Sequence, residues 1–223
     1  MKKHTNKKRS ASSRQWLKRQ QKDPYVRQAR DQGLRSRSAF KLAEMQEKYQ
    51  CIGPGMTVLD WGAAPGGWSI LARDWVGAKG RVIACDLLSI DAIPGVDFIQ
   101  GDIREQQVQD EIVEKMQGKL ADVILSDIAP NFMGVKVADQ LMHMGIIESL
   151  TLELPRYLNQ GGDFVVKVFH GQGFDAYVKC LREVFTKVQS VKPSASRLES
   201  REVYLLARGF VGKIESMDSM FRD

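Results

Sequence analysis

Only three of the 223 residues are cysteine and only three are histidine. Cys51, Cys85 and Cys180 are odd in number, lie far apart and form no Cys-x-x-Cys pair, so neither a disulfide framework nor a cysteine zinc site is indicated. His4, His143 and His170 also lack metal-ligand spacing, and no metal is expected. No apolar run approaches the roughly 20 residues that cross a bilayer, and no signal-type apolar segment follows the basic start. These absences point to a soluble, monomeric protein of the reducing cytoplasm, without a membrane partner. At 43% hydrophobic residues the chain can bury one full core and is short for two.

Acid is missing from the first 22 residues, which carry nine positive charges. Residues 1–50 hold 15 Lys and Arg against 4 Asp and Glu, or +11, so the remainder carries −5 of the net +6. After Met1, "KKHTNKKRSASSR" has no large apolar residue before Trp16. Such a stretch cannot build a core and suits an arm, residues 1–35, that displaces counterions from a nucleic-acid backbone. A solubilising tail and a transit peptide are the competing readings, though the arm lacks the apolar helical face of the latter.

"SRSAFKLAEMQEKY" spaces Phe40, Leu42, Met45 and Tyr49 for an amphipathic helix, with Ser36 or Ser38 as its cap. Strand-like runs then cover 56–60, 81–86, 96–102, 121–127 and 163–169, with helical patterns at about 67–76, 105–117, 137–158 and 174–184. Two more strand-like runs close the chain at 185–191 and 202–207. This alternation predicts an α/β, doubly wound, seven-stranded and mostly parallel sheet spanning residues 36–208, followed by a tail at 209–223. The 10-residue connection 192–201 is too short for a helical crossover, so the last pair of strands is expected to be antiparallel.

Ligands of such sheets bind beyond the carboxyl ends of the strands, where strand order reverses. Asp60, Asp86, Asp102 and Asp127 each stand at the end of a predicted strand. The first strand breaks into "GAAPGGWS". A nucleotide P-loop needs Lys and then Ser or Thr after its last glycine, where Trp68-Ser69 stands, and is excluded. A dinucleotide turn needs Gly-x-Gly-x-x-Gly to admit a pyrophosphate. Here the pattern is Gly-x-x-x-Gly-Gly, and Pro65 removes an amide donor. Asp86, 20 residues beyond Gly66, can accept two ribose hydroxyls, and Asp102 can take an adenine amino group. An acidic, phosphate-averse pocket suits an adenosine ligand with a positive sulfonium: S-adenosylmethionine (SAM).

The methyl acceptor follows from other residues. "SDIAP" is superficially similar to the Asp-Pro-Pro-Tyr element of amino-methylating enzymes, but Ile128, Ala129 and Asn131 replace its distinguishing residues. No cysteine occupies a motif loop from which it could attack a pyrimidine ring. Lys167, inside "DFVVKVF", is costly in an apolar strand without a partner, and Asp127 is placed to supply one. Lys41 interrupts an apolar helical face, and Glu202 opens the last strand. A Lys41, Asp127, Lys167 and Glu202 cluster suits a ribose hydroxyl, which must lose a proton as it attacks the methyl. An amine serves as that base where burial and a second cation favour its neutral form, and Lys167 is the candidate. Lys41 and Glu202 would position the ribose; the alternative is a structural salt-bridge network.

"GLRSRSAFKL", "LDWGAAPGGWS", "ACDLL", "GVDFIQGD", "SDIAPN", "GGDFVVKVFHGQGF" and "SRLESREVYLLA" together resemble the FtsJ/RrmJ (RlmE) family of ribose 2′-O-methyltransferases, from about residue 8 to 208. The resemblance implies a Rossmann-like SAM-dependent methyltransferase fold and SAM contacts at Gly66, Trp68, Asp86, Asp102 and Asp127. It implies a catalytic cluster of Lys41, Asp127, Lys167 and Glu202, with Lys167 as proton acceptor. It further implies methylation of a uridine of large-subunit (23S) ribosomal RNA, with the ribosomal subunit as partner. Related proteins use tRNA, and a non-catalytic ribosome-assembly factor on the same fold is the remaining alternative. Trp61 and Phe132-Met133 depart from the usual family residues and are expected to reshape the loop near the acceptor.

Overall fold

The computed structural model describes residues 23–130, 133–197 and 199–214. Expectations for the arm before residue 23, for Phe132 and for most of the tail therefore lie outside the described residues. The chain runs α1 (Pro24–Asp31), α2 (Ala39–Tyr49), β1 (Thr57–Trp61), α3 (Gly67–Val76), β2 (Arg81–Asp86), β3 (Val96–Gln100), α4 (Gln106–Met116) and β4 (Ala121–Ser126). It continues with α5 (Lys136–Leu152), α6 (Leu154–Tyr157), β5 (Leu158–Phe169), α7 (Phe174–Val184), β6 (Phe185–Val191) and β7 (Glu202–Phe210).

The seven strands form one sheet in the order β3-β2-β1-β4-β5-β7-β6. β1 pairs in parallel with both β2 and β4, β2 with β3, and β4 with β5. β7 enters between β5 and β6 and is antiparallel to each. The strand order reverses between β1 and β4, and a crevice opens at their carboxyl ends.

Alternation along the strands sorts the core into two layers. Leu59, Trp61, Ile124, Phe164, Val166, Val168, Val203 and Leu205 face one way, onto α4, α5, α6 and α7. Val58, Val123, Leu125, Val165, Tyr204 and Leu206 face the other, with Leu42 and Met45 of α2 and Trp68 and Ala72 of α3. The same parity puts Asp60, Lys167, Glu202 and Tyr204 on the second face. Trp61 lies on the first face, edge-on to Tyr157 and Phe164. It is fully buried there, so its side chain is turned away from the loop it was expected to reshape.

Several boundaries differ from the sequence reading for physical reasons. β5 starts at Leu158 because that residue, read as the helix end, pairs with Ala121 of β4, and a register shift before the Val123–Asp163 pair takes up the glycine stretch between. Pro155 is accommodated at the start of the one-turn α6. β3 stops at Gln100, leaving Asp102 in the following turn, and β7 runs on to Phe210. Ser38 occupies the α2 cap position but makes no capping bond; its hydroxyl pairs with that of Ser36 at 2.7 Å. Within the stretch read as a basic arm, α1 is capped by Asp23, whose carboxylate accepts from Tyr25 N at 3.1 Å, with Pro24 in the first turn. Asp23 also pairs with Arg37 and Arg197, tying the entry of α2 to the β6–β7 connection. Among the described residues no helix is long and apolar enough to cross a membrane.

Candidate active site

A cavity of about 380 Å³ opens at the strand-order reversal, within the range of small-molecule sites. Gly62, Ala64, Asp86, Asp102, Asp127, Ile128 and Pro130 are among its walls. Gly62 has φ +76°, and a Cβ there would stand 2.5 Å from Ile128 Cγ1, so the turn after β1 passes too close to the β4 loop for a side chain. Asp86 stabilises the turn: Oδ2 accepts from Ala64 N at 2.8 Å and Oδ1 from Leu88 N at 2.8 Å. Asp102 is gripped by Arg104, with bonds of 2.9 and 2.6 Å to its two oxygens, which hold its carboxyl below the usual range. The adenine contact expected of Asp102 would thus share a carboxylate already forked to an arginine. Cys85 also lines the cavity, but burial, and then the neighbouring Asp86, push its thiol up to about 12, which disfavours a thiolate.

Gly66 and Trp68, the other expected SAM contacts, do not line this cavity. Gly66 sits at φ +100° under Ile93 and Arg35. Trp68 is 2% exposed; its indole N–H donates to Ser38 O at 2.8 Å, and its ring lies 5.6 Å from that of Tyr204. It packs α3 against α2, the helix that carries Lys41. Arg35 braces the same turn, donating to Pro65 O at 3.2 Å, Asp91 O at 2.7 Å and Ala92 O at 3.1 Å.

The four expected cluster residues meet as two pairs. Lys167 Nζ lies 3.0 Å from Asp127 Oδ1 and donates to the Asp127 carbonyl at 2.6 Å. Lys41 pairs with Glu202, whose Oε1 also accepts from Ser196 Oγ at 2.9 Å. Tyr204, which sequence reasoning missed, joins the pairs. Its hydroxyl donates to Asp127 Oδ1 at 2.7 Å and accepts from Lys41 Nζ at 3.3 Å. Lys41 and Lys167 are 8% and 6% exposed. Asp127 both belongs to this chain of contacts and walls the cavity, so the two features are one site.

Residues 34–210 match the family model described as FtsJ-like methyltransferase. The chain belongs to that family. It is 52% identical over 206 residues to the ribosomal RNA large subunit methyltransferase E of Stutzerimonas stutzeri, covering 92% of this chain and 100% of that one. It is equally similar to the enzyme of the same name from Pseudomonas aeruginosa, covering 92% and 99%. A solved Plasmodium falciparum protein described as a ribosomal RNA methyltransferase superposes with a TM-score of 0.72 at 32% identity, covering 80% of this chain and 100% of that one.

Two electrostatic features of this FtsJ-like methyltransferase follow from burial. Tyr204 is held well above its ordinary value by burial and by the charges of Asp127 and Glu202, so it remains a hydroxyl donor. Replacing it with Phe removes both bridging bonds; hydrogen bonds to charged groups contribute about 1.5–3 kcal/mol. Single-turnover methyl transfer is expected to fall by about tenfold or more, with the unfolding midpoint as control.

Asp60 lies on the same face, fully buried. Ser69 Oγ donates to its Oδ2 at 2.6 Å, while Oδ1 has no hydrogen-bond partner among the described residues. Burial, and then the charges of Asp127 and Asp86, raise its carboxyl to about 7 against an ordinary value of 3.8. Between those values the folded state keeps a proton that the unfolded state releases. Stability from this group is therefore complete below the lower value and lost as pH rises through the upper. Asp60→Asn is expected to gain stability relative to the parent by about 4 kcal/mol between pH ~4 and ~8. Urea unfolding of both proteins across that window measures it; a pH-independent difference would contradict it.

Proposed function

We propose that this FtsJ-like methyltransferase transfers a methyl group from SAM to the ribose 2′-hydroxyl of a uridine in large-subunit ribosomal RNA, acting on the ribosomal subunit. The observation that carries the reading is the Lys167–Asp127–Tyr204–Lys41–Glu202 chain of contacts, which meets the wall of an acidic cavity at Asp127. Among the described cavity residues the charged groups are three carboxylates and one arginine already engaged by Asp102, which favours a cationic ligand over a phosphate. Asp86, Asp102 and Asp127 would hold SAM, which supplies an electrophilic methyl on a positive sulfur. Among the described residues no group of three or more His, Cys, Asp or Glu could hold a metal, and the reading uses none.

Lys167 in its neutral form has two hydrogens and one lone pair. Asp127 O and Oδ1 are placed to take the hydrogens, leaving the lone pair to accept the 2′-hydroxyl proton as the oxygen bonds the methyl carbon; the methyl–sulfur bond would break in the same step, its electron pair leaving with sulfur as a neutral thioether. Lys41 and Glu202 orient the ribose by donating to and accepting from its hydroxyls, and Tyr204 links the two pairs through its hydroxyl. In this reading the protein works as a monomer in the cytoplasm beside its ribosomal substrate. Basic residues ahead of the fold would meet the RNA backbone.

The test is to incubate the protein and methyl-labelled SAM with large ribosomal subunits, free ribosomal RNA and tRNA, then map 2′-O-methyl marks. Label on one uridine ribose of the large subunit is expected. Label confined to tRNA would replace the substrate, and absence of label from all three would favour a non-catalytic assembly factor.

A further inference from the structure

Besides Thr151 near its end, α5 buries three polar side chains that have no part in the chemistry above. Asp139, Gln140 and His143 are 8%, 4% and 0% exposed, and each bonds main chain. Asp139 accepts from Met133 N at 2.7 Å and Gly134 N at 3.0 Å. Gln140 Nε2 donates to Phe169 O at 2.9 Å and Gln172 O at 3.2 Å. His143 Nε2 lies 3.1 Å from Lys167 O. A carbonyl only accepts, so that nitrogen carries the hydrogen and Nδ1 is a bare acceptor. Among the described residues Nδ1 has no partner, nor has Gln140 Oε1. The neighbouring inward positions are apolar, with Met144, Ile147 and Leu150 in the core. Two orphaned acceptors on such a face cost stability that apolar residues would avoid.

What these side chains hold has a pattern. The β4–β5 pairing ends at Ser126 opposite Val166, so the Lys167–Asp127 contact lies one residue beyond the last rung of that ladder. Asp127 opens the loop whose far end, Met133 and Gly134, is fixed by Asp139. Lys167 and the end of β5 are fixed by His143 and Gln140. α5 also contributes Ile146 to the cavity wall. One helix thus grips both chain segments whose side chains form the pair, and it does so from the face of the sheet opposite the amine.

We infer that His143, supported by Gln140 and Asp139, is a positioning residue: α5 is a brace that fixes the end of β5 so that the Lys167 amine meets Asp127 and the acceptor hydroxyl. The inference rests on the reading of Lys167 as proton acceptor. His143 suits the task because burial, and then the Lys167 charge, lower it to about 4, leaving it a neutral single donor near pH 7. Its ring is further held edge-on to Phe169, centroids 4.7 Å apart.

The test uses the full chain with large subunits and SAM. His143→Phe fills the space but removes the donor, and His143→Gln restores an N–H at similar reach. His143→Phe is expected to lower the single-turnover rate on the order of 10²-fold, the effect of a small misplacement, and to move the midpoint of the pH–rate profile. SAM affinity, measured by calorimetry, and KM for the subunit should stay within about twofold, and His143→Gln should recover most of the rate. Gln140→Leu, which leaves His143 in place, should slow the rate in the same direction if His143→Phe does not fold. Wild-type rates in the folded variants, no recovery in His143→Gln, or a loss confined to KM would each overturn the brace. Lys167→Ala separates the two readings: if it keeps the wild-type rate, the proton-acceptor assignment fails. If it is inactive while His143→Phe is normal, only the brace fails.

Discussion

Lys167→Ala is expected to remove methyl transfer by about 10²- to 10⁴-fold, the range attributed to a positioned general base, while leaving subunit binding within about twofold. Lys167 is 6% exposed and, among the described residues, its amine contacts only Asp127, so its loss removes the one amine placed beside that carboxylate to take the proton. The variant also strands a partly buried carboxylate, which costs stability. Lys167→Met, which keeps much of the stem volume, controls for that cost. Transfer at the parent rate in a folded variant would remove Lys167 from the mechanism. A loss of subunit binding equal to the loss of rate would assign it to RNA contact instead.

Deleting residues 1–22, with their nine positive charges, is expected to weaken subunit affinity and flatten its salt dependence. Each phosphate neutralised on single-stranded RNA adds about 0.7 to the slope of log affinity against log salt, so full engagement would reduce the slope by up to about 6. A chain making 6–10 such contacts loses about 10³-fold or more in affinity between about 50 and 200 mM salt, and the shortened chain should lose far less. SAM affinity should not change, because described residues from 62 onward line the cavity. An unchanged slope would return this stretch to the solubility reading.

Much of the fold was legible because its strands are apolar runs punctuated by acids and glycines, and the parallel order follows from the intervening helices. Lys167 was legible for the same reason, since an ammonium in an apolar strand demands a partner. Tyr204 was not. A tyrosine in "EVYLLA" reads as ordinary core, and its bridging place depends on β7 lying beside β5, which no local pattern encodes. The only available signal was positional: antiparallel pairing sets Tyr204 directly opposite Lys167. Asp102 looked like a free strand-end carboxylate because the claim of Arg104, two residues on, depends on turn geometry. Trp68 is a large aromatic whose direction only packing decides, and here it turns toward Ser38 and Tyr204. The α1 helix escaped notice because "PYVRQARD" buries only Ala29, too little for apolar periodicity to show.

The insertion of β7 between β5 and β6 makes hairpin alignment and chemistry one variable. Glu202 and Tyr204 face the amines because Phe169 pairs with Glu202 and Lys167 with Tyr204. A slip of one position would swing both side chains to the opposite layer and leave Lys41 and Lys167 with one counter-charge fewer. A misaligned hairpin would therefore be silent in catalysis and short of electrostatic compensation together, so a chain that folds stably with this strand has already assembled its ion pairs.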